Sequence, residues 1–244
     1  MLASWHSRAS LRLVNAAASG ARKPRVRREK AKGRPRYHHG NLRAALIEAT
    51  ERLIEEGGPE SVTVREAARR AGVSSGAPFR HFPSRIALMT AVAEQAMSRL
   101  LREVERALAR TAGSDPVTRC AAFGEAYFRW VERNPTQFRV ISARNLIDFE
   151  GSKTLRRDNE VLRAAMTDVL EEGRRLGLFH YPDMHRAQLA ARALVYGLAR
   201  MCVDEHFAQW DVPAKGAARA MRDVFDLFID GLTHGKGRAV RGGR

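Results

Sequence analysis

Aromatic residues make up only 7% of the 244-residue chain, and no apolar run approaches the ~20 residues needed to span a bilayer. A membrane is therefore not expected among its partners. Cysteine is almost absent. Cys120 and Cys202 are the only two, far apart and without Cys-x-x-Cys or Cys/His ligand spacing. That argues against structural zinc and against a disulfide framework, so no metal site is expected. Each cysteine is flanked by apolar residues of a predicted helix, which makes inert core thiols the expectation. No stretch alternates as a strand would. Nothing pairs a nucleophile with a base, and no Gly-rich loop could cradle a phosphate. An enzyme is not expected, and neither is a cofactor.

What is present is positive charge. Lys and Arg number 43 against 27 Asp and Glu, giving a formal net charge of +16 and a sequence pI near 11.1. A polyanion is the natural partner for such a surface. The excess concentrates at the amino terminus, where Glu29 is the sole acid before Asn41. Residues 1–36 read as a disordered basic arm. Its first part resembles a transit peptide in composition, but an extension without a fold, or an over-called start codon, is the expectation. Its second part, Lys23 to Arg36, suits an extended path in a narrow minor groove, or else a solvated tail of sequence-independent affinity. The Gly/Arg-rich residues 235–244 read as a disordered tail.

The stretch Thr63–Arg85 (TVREAARRAGVSSGAPFRHFPSR) carries the most local information. Thr63 and Glu66 have the spacing of a capping box at a helix start. Val64, Ala67, Ala68 and Ala71 then recur at helical spacing as a narrow apolar face. Gly72 stands where that helix must stop with positive φ. Ser74 or Ser75 is a candidate cap for a second helix, and Pro78 fits its first turn. Two short helices joined by a tight turn describe a helix-turn-helix, whose second helix enters the major groove of DNA. Double-stranded DNA is thus the expected partner.

The run AGVSSGAPFRHFPSRIAL resembles the DNA-binding signature of the TetR family of bacterial transcriptional regulators. That signature has a Gly-Val-Ser turn, a short recognition helix ending in Tyr-x-His-Phe, and a Ser-Lys opening the next helix. Phe79 stands in place of the Tyr and Arg85 in place of the Lys. The segment Tyr37–Arg43 resembles the entry to the first helix in one branch of the family. Residues 37–83 are therefore expected to form the helix-turn-helix domain. Arg65, Ser75, Gly76 and Ala77 are the expected base-edge residues, since Arg can serve guanine bidentately and Ala can meet a thymine methyl. Thr63, Arg80, His81, Ser84 and Arg85 are expected at phosphates. Phe79 and Phe82 are assigned mainly to the small core.

Beyond Pro83, helical patterns fill residues 84–234. A long helix with Ile86, Met89, Ala93, Ala96, Leu100 and Val104 on one face links the head to the rest. Helices follow from Asp115 to Asn134, through Phe138 and Ile141, from about Leu155 to Leu176, from Met184 to Gln209 and from Ala214 to Thr233. The expected fold is all-α, with a three-helix head joined by the long helix to a ligand-binding and dimerisation domain. The resemblance implies a homodimer through the last two helices, a near-palindromic operator, and a small-molecule effector between the central helices and the penultimate one. Tyr127, Trp130, Phe138, Ser142, Asn145, Tyr196 and His206 are the candidate effector contacts, being aromatic or polar-tipped in those helices. The segments Asn134–Arg139 and Val195–Leu198 resemble a branch whose C-terminal domain carries Trp-His-Gly residues, with Tyr196 in place of the His.

The expected function is a cytoplasmic, sequence-specific transcriptional repressor released by a small ligand. The alternative is a ligand-independent architectural DNA-binding protein driven by the basic arm.

Overall fold

The computed structural model of the chain describes residues 41–234, so the basic arm, the entry segment up to Gly40 and the tail lie outside the described residues. Among the described residues there are eight α-helices and no strand, as the all-α expectation required. They are α1 (Leu42–Gly57), α2 (Val64–Arg70), α3 (Arg85–Arg110), α4 (Pro116–Arg133), α5 (Pro135–Ser142), α6 (Lys153–Arg175), α7 (Met184–Val203) and α8 (Ala217–His234).

The helix starts follow from short polar side chains. Asn41, Thr63, Ser84, Asp115, Ser152 and Asp183 each accept a hydrogen bond from a first-turn N–H of the helix they precede. Such a cap contributes about 1 kcal/mol by satisfying an otherwise orphan donor. Pro116 and Pro135 open α4 and α5, where a missing N–H costs nothing. Two helices end alike. After α2, Gly72 N–H donates to the Arg69 carbonyl and Val73 N–H to Ala68; after α6, Gly177 donates to Arg174 and Leu178 to Gly173. Both glycines take φ near +70°, at 72° and 71° respectively. This is the paired-bond helix stop in which glycine is the residue of least strain.

Several local expectations are corrected. The capping box is half formed, because Glu66 turns to Arg69, whose Nε donates to it at 2.9 Å, instead of reaching back to Thr63. The second helix of the helix-turn-helix is a single 3-10 turn, Ala77–Arg80, and no serine side chain caps it. Pro78 offers no N–H and disfavours α geometry at Ala77 before it. The N–H groups of His81 and Phe82 then converge on the Pro78 carbonyl, each at 2.8 Å. The helix expected to run to Gln209 ends at Val203, because Glu205 is left-handed at φ 60° and a 3-10 turn, His206–Trp210, follows. The last α-helix opens at Ala217, after a 3-10 turn over Ala214–Gly216.

α3 is the axis of the packing. It touches α1, α4, α5 and α6 and buries Leu88, Met89, Val92, Ala96 and Leu100. Its registry with α6 is pinned by the fully buried Asp158, which accepts from Ser98 Oγ at 2.6 Å and from Arg157 Nη2 at 2.7 Å. A second cross-link runs from Ser152 Oγ to Glu94 at 2.7 Å. Without these donors a buried carboxylate would be strongly unfavourable. α4 and α8 meet through an aromatic row in which Phe128 lies edge-on to Phe225, centroids 5.8 Å apart, and Phe225 stacks on Phe228 at 5.9 Å. Gly124 lets this approach happen, since a Cβ there would stand 2.1 Å from Phe225.

Candidate nucleic-acid interface and effector cavity

The head is built from α1, α2 and the segment Val73–Ser84, closed underneath by Phe82, over whose ring the Arg43 guanidinium sits at 5.6 Å. Its arginines fall into two groups. Arg69 pairs with Glu66, Arg70 with Glu56 at 2.5 Å, and Arg85 with Glu60 at 3.2 Å. Arg85 also donates to the Pro59 carbonyl at 2.8 Å, so its guanidinium ties α3 to the 3-10 turn Pro59–Ser61. That differs from the phosphate contact expected of it. Arg65 and Arg80 form the other group. Both are exposed and have no hydrogen-bond or ion-pair partner among the described residues.

Thr63, Ser75, Gly76, His81 and Ser84 are exposed and Ala77 is half-buried. The Thr63 and Ser84 hydroxyl oxygens already serve as helix caps, accepting from Glu66 N–H and Ala87 N–H at 3.1 Å each. Only their O–H groups remain as donors. Phe79, assigned to the core, is instead 46% exposed, and Ile86 is 49% exposed. Phe82 is buried as expected.

A cavity of about 180 Å³ lies among α3, α4, α5, α6 and α7. Four of the seven candidate effector residues line it: Tyr127, Phe138, Ser142 and Tyr196. The other three lie outside its lining. Trp130 sits one turn beyond Tyr127 on α4, buried, its indole N–H without a partner. Asn145 is exposed on the 3-10 turn Arg144–Leu146, and His206 is exposed beyond the end of α7.

The cavity lining also includes arginines, which are not among the expected effector contacts. Arg144, Arg163 and Arg192 all line the cavity. Arg192 Nη1 donates to Tyr127 Oη at 3.2 Å, and its guanidinium lies 5.2 Å from the Tyr196 ring centroid. Arg144 stacks at 3.5 Å on Phe149. Partial burial, and then the nearby Arg192 charge, lower the Arg144 pKa. Burial raises that of Tyr127 against the opposing pull of Arg192, keeping the phenol neutral. Ser142 Oγ is buried with no partner. Burial pushes the Cys120 thiol up to about 12, in keeping with an inert core position.

The outer faces of α7 and α8 carry apolar side chains with little to cover them. Leu189 is 62% and Leu227 68% exposed, and Trp210, in the 3-10 turn after α7, is 71% exposed. A Cβ placed on Gly197 or Gly231 would meet nothing within 4 Å.

Two family models match the chain: "Bacterial regulatory proteins, tetR family" over residues 46–92, and "Tetracyclin repressor-like, C-terminal domain" over residues 120–225. Among curated proteins, the HTH-type transcriptional regulator BetI of Stenotrophomonas maltophilia is 37% identical over 101 residues, 40% of this chain and 50% of that one. The HTH-type transcriptional activator FasR of Mycolicibacterium smegmatis is 29% identical over 63% of this chain and 67% of its own. The chain thus spans half the length of the first relative and two thirds of the second. Among solved structures, a protein of unknown function from Rhodococcus sp. RHA1 superposes with a TM-score of 0.66 at 27% identity, covering 82% of this chain and all of that one. The helix-turn-helix head and the helical body behind it are thus each matched by a model of one family, and the chain belongs to the TetR family of bacterial regulatory proteins.

Proposed function

We propose that the protein is a homodimeric repressor that binds a near-palindromic operator and releases it when a small molecule enters the cavity. The observation that carries this reading is the placement of α5. One side of that helix brings Phe138, Ile141 and Ser142 to the cavity. Another brings Gln137 Nε2 to within 3.4 Å of Glu51 Oε1 on α1, the helix that braces the head. Arg99 of α3 donates to the same carboxylate oxygen at 3.1 Å. A molecule that favours a shifted α5 therefore biases the head through Glu51. Release is limited by its differential affinity for the two conformers.

In this reading Arg65 reads a base edge and Arg80 holds a phosphate, each with donors not engaged inside the protein. Ser75, Gly76 and Ala77 approach the base edges, with Thr63, His81 and Ser84 at the backbone. Arg85 acts indirectly, by fixing the start of α3. One head covers too few base pairs for specificity, and a two-fold pair doubles the site. The uncovered faces of α7 and α8 support that pairing as a four-helix bundle, with Gly197 and Gly231 permitting close approach.

Fluorescence anisotropy of labelled DNA duplexes tests the division of roles. Arg65→Ala should flatten the preference among sequences, by about 1–3 kcal/mol at one base pair. Arg80→Ala should weaken all sequences alike and reduce the salt dependence by about one ion. If both variants lose affinity equally on every sequence, the assignment fails.

A further inference from the structure

The cavity walls are apolar toward the interior, with Met97 and Leu100 from α3, Leu162 and Met166 from α6, and Val195 from α7. Polar groups interrupt this lining. Arg192 donates to Tyr127 Oη at 3.2 Å, and Arg144 lines the same cavity. Neither guanidinium has a carboxylate within ion-pair distance among the described residues, whereas the third arginine of the lining, Arg163, is paired with Glu160. Ser142 Oγ, buried in the same lining, has no partner. Both arginines are exposed residues, and the Glu150 carboxylate acts on Arg144. An anion between the two guanidinium groups receives charge-assisted hydrogen bonds from both.

Size limits the remainder of the molecule. A space of about 180 Å³ is close to the ~150 Å³ engineered cavity in another protein that admits one benzene ring. An apolar body of about six to eight carbons is the corresponding scale.

We propose that this cavity binds an amphiphile with a compact apolar body and a single anionic head, the head lying between Arg144 and Arg192 and the body among Leu100, Leu162, Met166 and Val195. This rests on the reading of the cavity as the effector site, and it adds the chemical class of the effector. A carboxylate and a phosphate both suit a guanidinium pair, so the two are separated by experiment.

The test is titration calorimetry of the full chain, without DNA, against octanoate, octyl phosphate, octan-1-ol and octylamine. At least one of the two anions should bind ten-fold or more tightly than the alcohol, with octylamine weakest. The tighter anion identifies the head group. The Arg144→Gln/Arg192→Gln double variant should lose that preference while keeping the parent's affinity for octan-1-ol, which also reports an intact cavity. Arg192→Lys, which keeps the charge, should stay within a few-fold of the parent. Equal binding of alcohol and anions, no binding of either anion, or an anion preference that survives the double variant would overturn the proposal. Release of DNA is measured separately. An anion that binds with this preference but leaves DNA affinity unchanged sinks the repressor-release reading and leaves the ligand class standing.

Discussion

At the scale of single residues, glycines show how differently one residue type can act. Gly72 holds φ at 72° with open space around its missing Cβ, so its role is purely backbone. Gly72→Ala should cost about 1 kcal/mol, the ordinary penalty for a left-handed L-residue, and Gly72→Asn less. Gly124 has no unusual dihedral, but a Cβ there would meet Phe225 Cε1 at 2.1 Å. Gly124→Ala should therefore cost about 1–3 kcal/mol through forced repacking of α4 on α8. Urea unfolding of the variants checks both, and a Gly124→Ala protein as stable as the parent would contradict the packing account. The arginines make the complementary point. Composition displays them all alike, yet Arg69, Arg70 and Arg85 are committed inside the head while Arg65 and Arg80 are not. Long-range pairs such as Arg85 with Pro59 have no local sequence signal.

At the scale of elements, what was legible in the sequence is whatever is decided locally. Thr63 caps α2 and Gly72 ends it as expected, and α4 stops before Asn134-Pro135 as expected. The helix-turn-helix pattern predicts a helix at Ala77–Arg80, but Pro78 disfavours α geometry at Ala77 and the segment is a 3-10 turn. Of the cavity lining, Tyr127, Phe138, Ser142 and Tyr196 are legible as aromatic or polar-tipped residues of the central helices. Arg144 and Arg192 are not, because an arginine on a helix or turn is ordinarily a solvated side chain and its place in a cavity lining depends on tertiary packing. Two predictions belong to this scale. Gly197→Leu and Leu227→Glu leave each protomer's core untouched but obstruct or charge the proposed bundle face. Both should shift the protein toward monomer in sedimentation, with helix content unchanged, and weaken operator binding. A stable dimer from both variants would place the interface elsewhere. The second concerns α5. Filling the cavity with Ala191→Phe should mimic an effector and lower operator affinity. Adding Glu51→Ala should reduce that loss, with a coupling of about 0.5–2 kcal/mol in a double-mutant cycle. Strict additivity would remove Glu51 from the path.

At the scale of the whole molecule, a formal charge of +16 ensures that some affinity for any DNA exists, whatever the head does. Charge alone therefore cannot separate a sequence-reading repressor from an architectural protein driven by residues 1–36. What separates them is two-fold specificity, which needs the head, the α7–α8 pairing and the spacing between two heads together. The most direct measurement is selection of bound sequences from a random DNA pool by the purified full-length protein at physiological salt. The account predicts an enriched motif with two-fold symmetry, its half-sites about one helical turn apart. A pool that remains unenriched, with binding that falls steeply with salt on every sequence, would contradict it.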